Sequence, residues 1–417
     1  MLKRLSLLAA LCSIILVVGC NVLPPMTPEA PRGPSTGDVE VKYGFTAVTY
    51  DPQNLPLRYQ FDWADGREAE WSKYVPSGEP TKMAHAWLTA GAYGVRVRSQ
   101  NVAGRQSELS PRHVITIGSQ SEGYPDTIIA TIDVGGTPHG IVGLTNHAYV
   151  YVCNEIDHGI CVVNTDELRV VKTIECGDDA WQITASPDDR RVYVANHYGN
   201  TVKVISTETN SVVATVPVGD CPHAMACTPG SERVYAANIN DNSVSVIRTS
   251  DNTVIATVAV GHGPRGLCIL PSGEYVYTAN TEGSVTVIRT QDNAVVKTIP
   301  VDGYAHRAAA SSDGQFVYIS NAYSDAVAVI RTRDNTLVTT LPVPSGPCGG
   351  CGLPNADYAY ISCPDAGYLT VIRTSDNTVA DNIKVGGGCR AVTTSGSGDR
   401  VYTADHEAGR VSVLARR

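Results

Sequence analysis

The stretch VYAANINDNSVSVIRTSDNTVIATVAVG, residues 234–261, decides the fold. It contains three short runs that largely alternate apolar and polar residues, and a fourth run of the same kind, residues 223–228, precedes it. Val, Ile, Thr and Tyr dominate these runs, and this composition with a period of two is typical of half-buried β-strands. Asn, Asp, Ser and Gly separate the runs and tolerate tight turns. The unit therefore predicts a sheet of four short strands.

The same unit recurs seven times along the chain. Its tyrosine-bearing run begins with VYVCN at Val150, VYVAN at Val192, VYAAN at Val234, VYTAN at Val276, VYISN at Val317, AYISC at Ala359 and VYTAD at Val401. Successive starts are separated by 42, 42, 42, 41, 42 and 42 residues. Four strands per unit of about 40 residues are the signature of a β-propeller blade. The repeat therefore predicts an all-β chain whose larger part is a seven-bladed β-propeller.

The two ends of the array predict how the ring closes. After Val401 only two runs remain, so the last blade lacks its outermost strand. An additional run, IIATIDV at residues 128–134, precedes the first unit and matches VIATVAV at residues 254–260. If residues 127–134 complete the last blade, the propeller leaves no open sheet edge as a template for aggregation. The propeller is therefore predicted to span residues 127–417.

These repeats resemble the YVTN family of β-propeller repeats. The resemblance rests on the tyrosine-bearing strand ending in Ala-Asn, on the Val-Ile-Arg-Thr-x-Asp-Asn-Thr-Val run and on the Val-Gly-x-x-Pro turn. It implies the propeller fold. Such repeats resemble parts of archaeal surface-layer proteins, bacterial envelope proteins and lactonase-like propellers, so the resemblance implies a platform and does not select one reaction.

Residues 1–19 have the features of an export signal. A basic start precedes an apolar run that is shorter than a membrane-spanning helix requires. The run ends in Leu-Val-Val-Gly-Cys, which resembles a bacterial lipobox and implies that Cys20 is lipidated and becomes the new N-terminus. The alternative is an ordinary signal peptide in which Cys20 is incidental. Because acyl chains anchor a protein without spanning the bilayer, we expect a lipid-anchored cell-envelope protein, and Asn21 favours the outer membrane or cell surface.

The mature chain is acidic and begins with a tether. Removal of residues 1–19 leaves 30 basic and 41 acidic residues, a formal net charge of 30 − 41 = −11. Phosphate binding relies on clustered Lys and Arg, so this charge argues against nucleic acid as a partner. We expect instead a protein or polysaccharide partner of the envelope. Residues 20–37 are rich in proline and predict a flexible tether.

Residues 38–118 lack the repeat and predict a separate small domain. The sequences FDWADG at residues 61–66, HAW at residues 85–87 and GAYGVRV at residues 91–97 resemble a PKD domain, a small immunoglobulin-like β-sandwich. Ala64 stands where that family usually has glycine. The length suits one sandwich of about 80–100 residues. The resemblance implies a spacer or adhesive module.

One position in each blade forms the candidate ligand ring. It lies just after a proline, or its equivalent, in the turn that leads from the outermost strand of one blade to the innermost strand of the next. Innermost strands line the central channel of a propeller, so the seven side chains are expected to converge at the channel mouth. They are His139, Trp181, His223, Arg265, His306, Cys348 and Arg390.

Two interpretations of this ring stay open. Imidazoles bind divalent metal ions and guanidinium forks bind carboxylates or phosphates, so the ring predicts a site for a small anion, or for a divalent metal on His139, His223 and His306. Alternatively, polar residues simply line a water-filled channel. The ring has no carboxylate at its own level. Loops on the same face are expected to add Asp157, His158, His197, Asp241, Glu282, Asp325, Asp405, His406 and Glu407.

Ten cysteines remain in the propeller once Cys12 and Cys20 are set aside. They are Cys153, Cys161, Cys176, Cys221, Cys227, Cys268, Cys348, Cys351, Cys363 and Cys389. An even number in an exported chain favours disulfides. The expected pairs are Cys153 with Cys161, Cys176 with Cys221, Cys227 with Cys268, and Cys348 or Cys351 with Cys389. For the Cys-x-x-Cys at residues 348–351, a disulfide ranks ahead of a metal site and redox catalysis.

Together these features favour a non-catalytic function. No Gly-rich phosphate loop and no Ser-His-Asp arrangement stands out. We therefore predict that the propeller is a binding or surface scaffold module that needs no cofactor, with a divalent metal as an option. One alternative is a metal-dependent hydrolase or lactonase-like enzyme acting at the channel mouth. The other is a purely structural, surface-layer-like protein.

Overall fold

The computed structural model describes residues 22–34, 36–38, 42–67, 70–88, 91–118, 123–155, 159–177, 180–354 and 357–416. The predicted signal peptide, Cys20, Asp157 and His158 lie outside these residues. Every regular element of the described residues is a β-strand, which confirms the all-β class. No helix in this part of the chain has the length and hydropathy needed to cross a membrane. Contacts divide the chain into two compact units, residues 1–122 and 123–417.

The first unit is a small β-sandwich. Its strands are β1 (Thr36–Asp38), β2 (Lys42–Ala47), β3 (Leu57–Asp62), β4 (Thr81–Ala86), β5 (Gly91–Asn101) and β6 (His113–Gly118). Four of them form one sheet in the order β1-β6-β5-β3, and β2 pairs with β4 in the other. Alternate residues of β3 are buried and join Phe45, Trp63 and Trp87 in a single aromatic-rich core. The architecture agrees with the predicted immunoglobulin-like sandwich.

The second unit is the propeller, built of seven four-stranded antiparallel sheets. Blades one to three comprise β8 (Pro138–Gly143), β9 (Tyr149–Asn154), β10 (Gly159–Asn164), β11 (Arg169–Glu175); β12 (Ala180–Ala185), β13 (Arg191–Asn196), β14 (Thr201–Ser206), β15 (Ser211–Pro217); and β16 (Pro222–Cys227), β17 (Arg233–Asn238), β18 (Ser243–Arg248), β19 (Thr253–Ala259).

Blades four to seven repeat the arrangement. Their strands are β20 (Pro264–Ile269), β21 (Tyr275–Asn280), β22 (Ser284–Arg289), β23 (Ala294–Pro300); β24 (Ala305–Ala310), β25 (Phe316–Asn321), β26 (Ala326–Arg331), β27 (Thr336–Pro342); β28 (Gly349–Gly352), β29 (Tyr358–Cys363), β30 (Tyr368–Arg373), β31 (Thr378–Lys384); and β32 (Cys389–Thr394), β33 (Arg400–Asp405), β34 (Arg410–Ala415) with β7 (Thr127–Asp133).

Strand β7 completes the last blade. It pairs antiparallel with β34 along its whole length, from Asp133 opposite Arg410 to Thr127 opposite Ala415. The first strand of the second unit and its last strand thus lie side by side. The innermost strands of neighbouring blades, including β32 and β8, also contact each other around the entire ring. These contacts make the seven blades a closed circle, as the repeat predicts.

The hydrophobic core lies between the blades. In each blade the second and third strands are almost wholly buried, as in β17 and β18. The outermost strands are largely exposed; in β15 only Val216 is buried. One core cluster joins Tyr235 and Val246 of blade three to Leu267 and Val276 of blade four. The seven units therefore bury their apolar faces against each other.

A tyrosine–asparagine hydrogen bond links consecutive blades. The phenol of Tyr318 in blade five donates to Oδ1 of Asn377 in blade six at 2.8 Å, and Tyr235 bonds Asn293 in the same way at 2.8 Å. Both asparagines have positive φ angles, 54° and 57°, a conformation that asparagine tolerates better than most residues. The turn that carries each asparagine therefore shapes its own hairpin and also accepts a bond from the preceding blade.

Candidate functional site

The innermost strands bring the predicted ring residues to the channel. In six blades the innermost strand has a β-bulge at its start, for example between Ala305 and Arg307 and between Ala180 and Gln182. A bulge redirects the side chains around it. The ring residues that follow the turns therefore face their counterparts in neighbouring blades.

Contacts between consecutive ring residues run around most of the mouth. The rings of His139 and Trp181 lie 4.1 Å apart between centroids, and Nε1 of Trp181 lies 2.8 Å from Nε2 of His223. Nδ1 of His306 lies 3.1 Å from the carbonyl oxygen of Cys348. The Sγ of Cys348 in turn lies 3.2 Å from the carbonyl oxygen of the exposed Arg390. Arg265 donates from Nη1 to the phenol of Tyr304 at 2.6 Å.

Its hydrogen bonds fix the protonation of His223. The indole of Trp181 can only donate, so Nε2 of His223 must accept that bond. Nδ1 therefore carries the proton and donates it to the carbonyl oxygen of Arg265 at 2.9 Å. His223 is fully buried, and burial, with the nearby charge of Arg307, holds the pKa of its imidazole well below the usual range. The imidazole of His223 is therefore neutral, and both of its nitrogens are engaged in hydrogen bonds.

The other two ring histidines are also neutral. Among the described residues, the one hydrogen-bond partner of His306 is a carbonyl oxygen facing Nδ1, so Nδ1 carries the proton and Nε2 keeps its lone pair. Burial and the charges of Arg307 and Arg265 lower the pKa of His306 to about 3. Nδ1 of His139 lies 3.1 Å from the amide nitrogen of Gln182, which donates to it. Burial and Arg307 again hold the pKa of His139 well below its usual range.

The structure adds Arg307, which the sequence analysis missed. Arg307 follows His306 and is 9 % exposed. Its Nη1 lies 3.3 Å from Nδ1 of His223, two blades away. Because Nδ1 of His223 already carries a proton, it cannot accept from the guanidinium. Burial lowers the pKa of Arg307 to about 10, so Arg307 keeps its charge at neutral pH.

The aligned sequences did contain a signal for this residue. The position one after the ring is small in five blades: Gly140, Ala224, Gly266, Gly349 and Ala391. Close approach of adjacent innermost strands explains the small residues, since a Cβ on Gly266 would lie 2.5 Å from Cα of Arg307. Only Gln182 and Arg307 carry long polar side chains at this position. A long polar side chain at an aligned position that is otherwise small therefore indicates the site.

Arg307 borders a cavity in the central channel. The cavity has a volume of about 130 Å³. Ile141, Met225 and Leu267 are among its apolar lining residues, but polar atoms make up the larger part of its exposed surface. Arg307 and Gln182 supply its long polar side chains. The site thus combines a buried positive charge with a largely polar surface that includes some apolar side chains.

No carboxylate compensates this charge in the described part of the chain. Arg265, Arg307 and Arg390 form no ion pair there. The predicted loop carboxylates have other partners: Asp241 accepts from the backbone of Asp220, and Asp405 pairs with Arg410. Glu282 accepts from Ser284, Asp325 accepts from the backbone of Gly346, and Glu407 lies against Gly387 and Gly388. Hydrogen bonds from neutral groups leave Asp241, Glu282 and Asp325 negatively charged, but none of these carboxylates bonds Arg265, Arg307 or Arg390.

Two loop histidines do reach the ring. His197 stacks on Trp181 with centroids 5.0 Å apart, and His406 lies 6.2 Å from His139 between ring centroids. Nε2 of His406 lies 3.6 Å from Oε2 of Glu155. Glu155, absent from the predicted set, thus contacts a histidine that lies beside the ring.

The three ring histidines do not assemble a metal site. Among the described residues, no group of three or more His, Cys, Asp or Glu side chains is arranged to hold a metal ion. The centroids of His223 and His306 are 6.4 Å apart, and His223 has no free nitrogen for a ligand bond. The arrangement suits an anion better than a cation.

The ten propeller cysteines are unpaired, which corrects the predicted disulfides. Cys153 and Cys161 occupy adjacent strands, where Cys161 lies opposite Val152 and Ile160 lies opposite Cys153. Side chains alternate between the faces of a sheet, so Cys161 packs toward blade seven and Cys153 toward blade two. The expected bond between them would have to pass through the blade.

The remaining predicted pairs fail for similar reasons. Cys176 packs between blades one and two, whereas Sγ of Cys221 lies 3.0 Å from Nε2 of His197 at the mouth. Cys227 and Cys268 belong to separate cores, between blades two and three and between blades four and five. Cys351 and Cys389 share one core but remain separate thiols, as do Cys348 and Cys363.

Comparisons with known proteins agree with this architecture. The family model described as "Lactonase, 7-bladed beta-propeller" matches residues 130–255 and 249–346, which together make up just over half of the chain. A chain of Kuenenia stuttgartiensis hydrazine synthase has a similar structure, with a TM-score of 0.62, 18% sequence identity, and coverage of 71% of this chain and 98% of that one. At this identity the similarity concerns the fold alone. No curated protein sequence matches the chain. On the family match, this chain belongs to the lactonase family of seven-bladed β-propellers.

Proposed function

We propose that the propeller binds a small organic anion in its central channel and serves as a non-catalytic binding module. The observation that carries this proposal is the charge of Arg307, which is buried without a carboxylate among the described residues. Removing a charged group from water costs several kcal/mol unless a partner compensates it. An anion bound beside Arg307 would supply that partner, through the two-pronged hydrogen bonds that a guanidinium forms with a carboxylate.

The surroundings of Arg307 indicate the kind of anion. The cavity of about 130 Å³ corresponds to roughly four water molecules at ~30 Å³ each, so the ligand is small. The side chains of Ile141, Met225 and Leu267 in the cavity wall can contact a short aliphatic chain. The ring histidines are neutral, so they would not compete with a carboxylate for the charge of Arg307. We therefore favour a short-chain carboxylate.

Calorimetric titration tests this proposal directly. The full-length chain would be titrated with acetate, butyrate, inorganic phosphate and the neutral butyramide. We expect butyrate to bind and butyramide not to bind. Arg307→Met removes the charge and should abolish binding. Arg248→Met, which removes a surface arginine paired with Asp251, is the matched control and should bind as the parent does. Equal binding of butyrate by the Arg307→Met variant, or no anion binding by the parent, would overturn the proposal.

A second candidate is lactonase-like hydrolysis at the same site, favoured by the family match. In that reaction water adds to the ring ester, the acyl C–O bond breaks, and a hydroxy acid leaves as its carboxylate and a proton. Nε2 of His306 has the free lone pair that a general base needs. However, with a pKa of about 3 it is a weak base at neutral pH. We therefore rank anion binding ahead of lactone hydrolysis.

Turnover distinguishes the two candidates. A pH-stat assay with γ-butyrolactone and δ-valerolactone would detect the proton released by hydrolysis. If the chain is a lactonase, turnover should be lost in His306→Gln and kept in His262→Gln, whose histidine is exposed. Butyrate binding without any turnover would leave the binding module as the function.

We also propose that the protein is exported and lipid-anchored through Cys20, with a flexible tether and a PKD-like spacer ahead of a YVTN-type propeller. The lipobox-like sequence at residues 16–20 supports the anchor. Expression in a bacterium supplied with labelled fatty acid should label the parent chain and not Cys20→Ser, and only the parent should sediment with membranes. Label in the Cys20→Ser variant would contradict the anchor. A surface-layer-like role would instead require lateral assembly of the protein, which light scattering would detect.

A further inference from the structure

The first unit carries an aromatic and basic surface that the channel function does not use. We call it the Trp71 face, formed by Arg58, Gln60, Trp71, Tyr74, Arg98 and Gln100. Strands β3 and β5 pair so that Arg58 lies opposite Gln100 and Gln60 lies opposite Arg98. An isolated bridge places Trp71 beside Gln60. All these side chains lie on the side of β3 and β5 away from the core, because the intervening residues of both strands are buried.

Hydrogen bonds hold both guanidinium groups in place. Nε of Arg58 donates to Oε1 of Gln100 at 2.8 Å, and Nε of Arg98 donates to Oε1 of Gln60 at 2.9 Å. The Nη2 group of each arginine bonds the same glutamine oxygen. The Nη1 groups form no hydrogen bond with the described residues. Each arginine is thus positioned by an amide and keeps donors for another molecule.

The aromatic rings lie directly beneath these charges. The Cζ of Arg58 lies 4.8 Å from the ring centroid of Trp71 and 5.1 Å from that of Tyr74. The Cζ of Arg98 lies 5.7 Å from the centroid of Trp71. Tyr74 is 44 % exposed. Stacking of this kind stabilises a fixed guanidinium orientation, so the face presents two oriented cations beside an accessible aromatic ring.

The charge of this face departs from the rest of the chain. The chain has nine more acidic than basic residues, and the exposed arginines of the propeller hairpins pair with an aspartate three residues on, as Arg248 does with Asp251. Arg58, Arg96 and Arg98 form no such ion pair with the described residues. Unpaired, fixed cations in an acidic chain point to an acidic ligand.

We propose that the Trp71 face binds an acidic polysaccharide with a carboxylate on each sugar. Diagonal neighbours on paired strands lie about 7–8 Å apart, so one polymer can reach both Arg58 and Arg98. The apolar face of a sugar ring can pack against Tyr74. Nucleic acid fits less well, because its dense charge requires many cationic contacts.

Binding to immobilised alginate, a polyuronate, tests the proposal with the full-length chain. Neutral dextran and a single-stranded oligonucleotide serve as comparison surfaces. We expect alginate binding that weakens as salt is added and no binding to dextran. Arg58→Gln/Arg98→Gln should lower alginate affinity by about tenfold or more, because two charge-assisted contacts are lost. Arg248→Gln/Arg289→Gln removes the same charge from the propeller surface and should bind as the parent does.

Three results would overturn the proposal. They are equal binding to alginate and dextran, unchanged alginate binding by Arg58→Gln/Arg98→Gln, and tighter binding to the oligonucleotide than to alginate. The Tyr74→Ala variant removes the exposed aromatic ring and keeps both arginines. It should also weaken alginate binding. Arg307→Met should leave alginate binding intact, so this test is independent of the anion site in the channel.

Discussion

The indole Nε1–H of Trp181 in blade two donates to Nε2 of His223 in blade three at 2.8 Å. This bond fixes the tautomer of a fully buried imidazole and leaves it unable to accept from Arg307. The carbonyl oxygen of Arg265, which accepts from Nδ1 at 2.9 Å, requires the same tautomer, so the imidazole offers Arg307 no acceptor and leaves the guanidinium to the proposed anion.

Replacing Trp181 with phenylalanine tests the bond between Trp181 and His223. Nε2 of His223 would lose its donor inside the protein, and a buried polar group without a partner costs about 1–3 kcal/mol. We expect a lower melting temperature of the propeller. In the double variant Trp181→Phe/His223→Phe both polar partners are gone, so the combined loss of stability should be smaller than the sum of the single losses. Additive losses would contradict the bond.

Replacing Arg307 with methionine should stabilise the anion-free propeller. A buried charge without a partner is costly, and apolar replacements of similar volume gain about 1–4 kcal/mol in comparable cases. Calorimetric melting without added anions would measure the effect, with Arg307→Lys as the charge-preserving control. If Arg307→Met destabilises the propeller and Arg307→Lys does not, another group in the protein compensates the charge of the guanidinium.

The ring histidines should stay neutral in acid that protonates ordinary histidines. Burial and Arg307 lower the pKa of His306 to about 3, against about 6.5 when unfolded. His306 therefore binds a proton in the unfolded chain at a pH where it stays neutral in the folded chain. The stability of the fold thus falls as pH drops below about 6.5. NMR of ¹³C-labelled histidine should show no titration of His306 between pH 8 and 5. A midpoint near 6 for His306 would contradict its environment.

The tyrosine–asparagine bonds between blades offer an internal control. Tyr235→Phe removes the bond to Asn293 and should cost about 1 kcal/mol. The hydroxyl of Tyr193 occupies the same place in blade two but has no partner among the described residues. Tyr193→Phe should therefore be neutral or stabilising. Equal losses in the two variants, measured by calorimetry, would exclude the bond as the cause.

Alkylation should find every propeller cysteine as a thiol. In the folded protein, burial raises the pKa of Cys227, Cys268 and Cys351 to about 12, and thiolate is the reactive form. Labelling by iodoacetamide should be slow in the native state and complete after denaturation without any reductant. Peptide mapping would locate the label, and a peptide that reacts only after reduction would reveal a disulfide.

The fold followed from the sequence because seven sheets repeat one pattern. Val234 and its counterparts recur at an almost constant spacing, and this spacing sets the blade count. The ring positions followed as well, since each comes from the same turn. Arg307 was missed because strict alternation places it on the opposite side from His306, and the bulge between Ala305 and Arg307 breaks that alternation.

The disulfide prediction failed for a reason that composition cannot reveal. An even cysteine count says nothing about which face of a strand each thiol occupies. Cys153 and Cys161 are close along the chain but lie on opposite faces of one blade. Such cysteines behave as small apolar side chains of the interblade cores.

The pairing of β7 with β34 affects when the propeller can close and how readily it can open. The last blade cannot form until residues 410–415 are available, so a chain emerging in order from a ribosome or an export channel remains an open arc until these residues have emerged. Both ends of that arc expose unpaired strand edges until the final strand arrives. Once it does, neither end can detach without breaking a complete sheet pairing. The strand that finishes the circle thus delays folding and afterwards protects the folded ring against fraying.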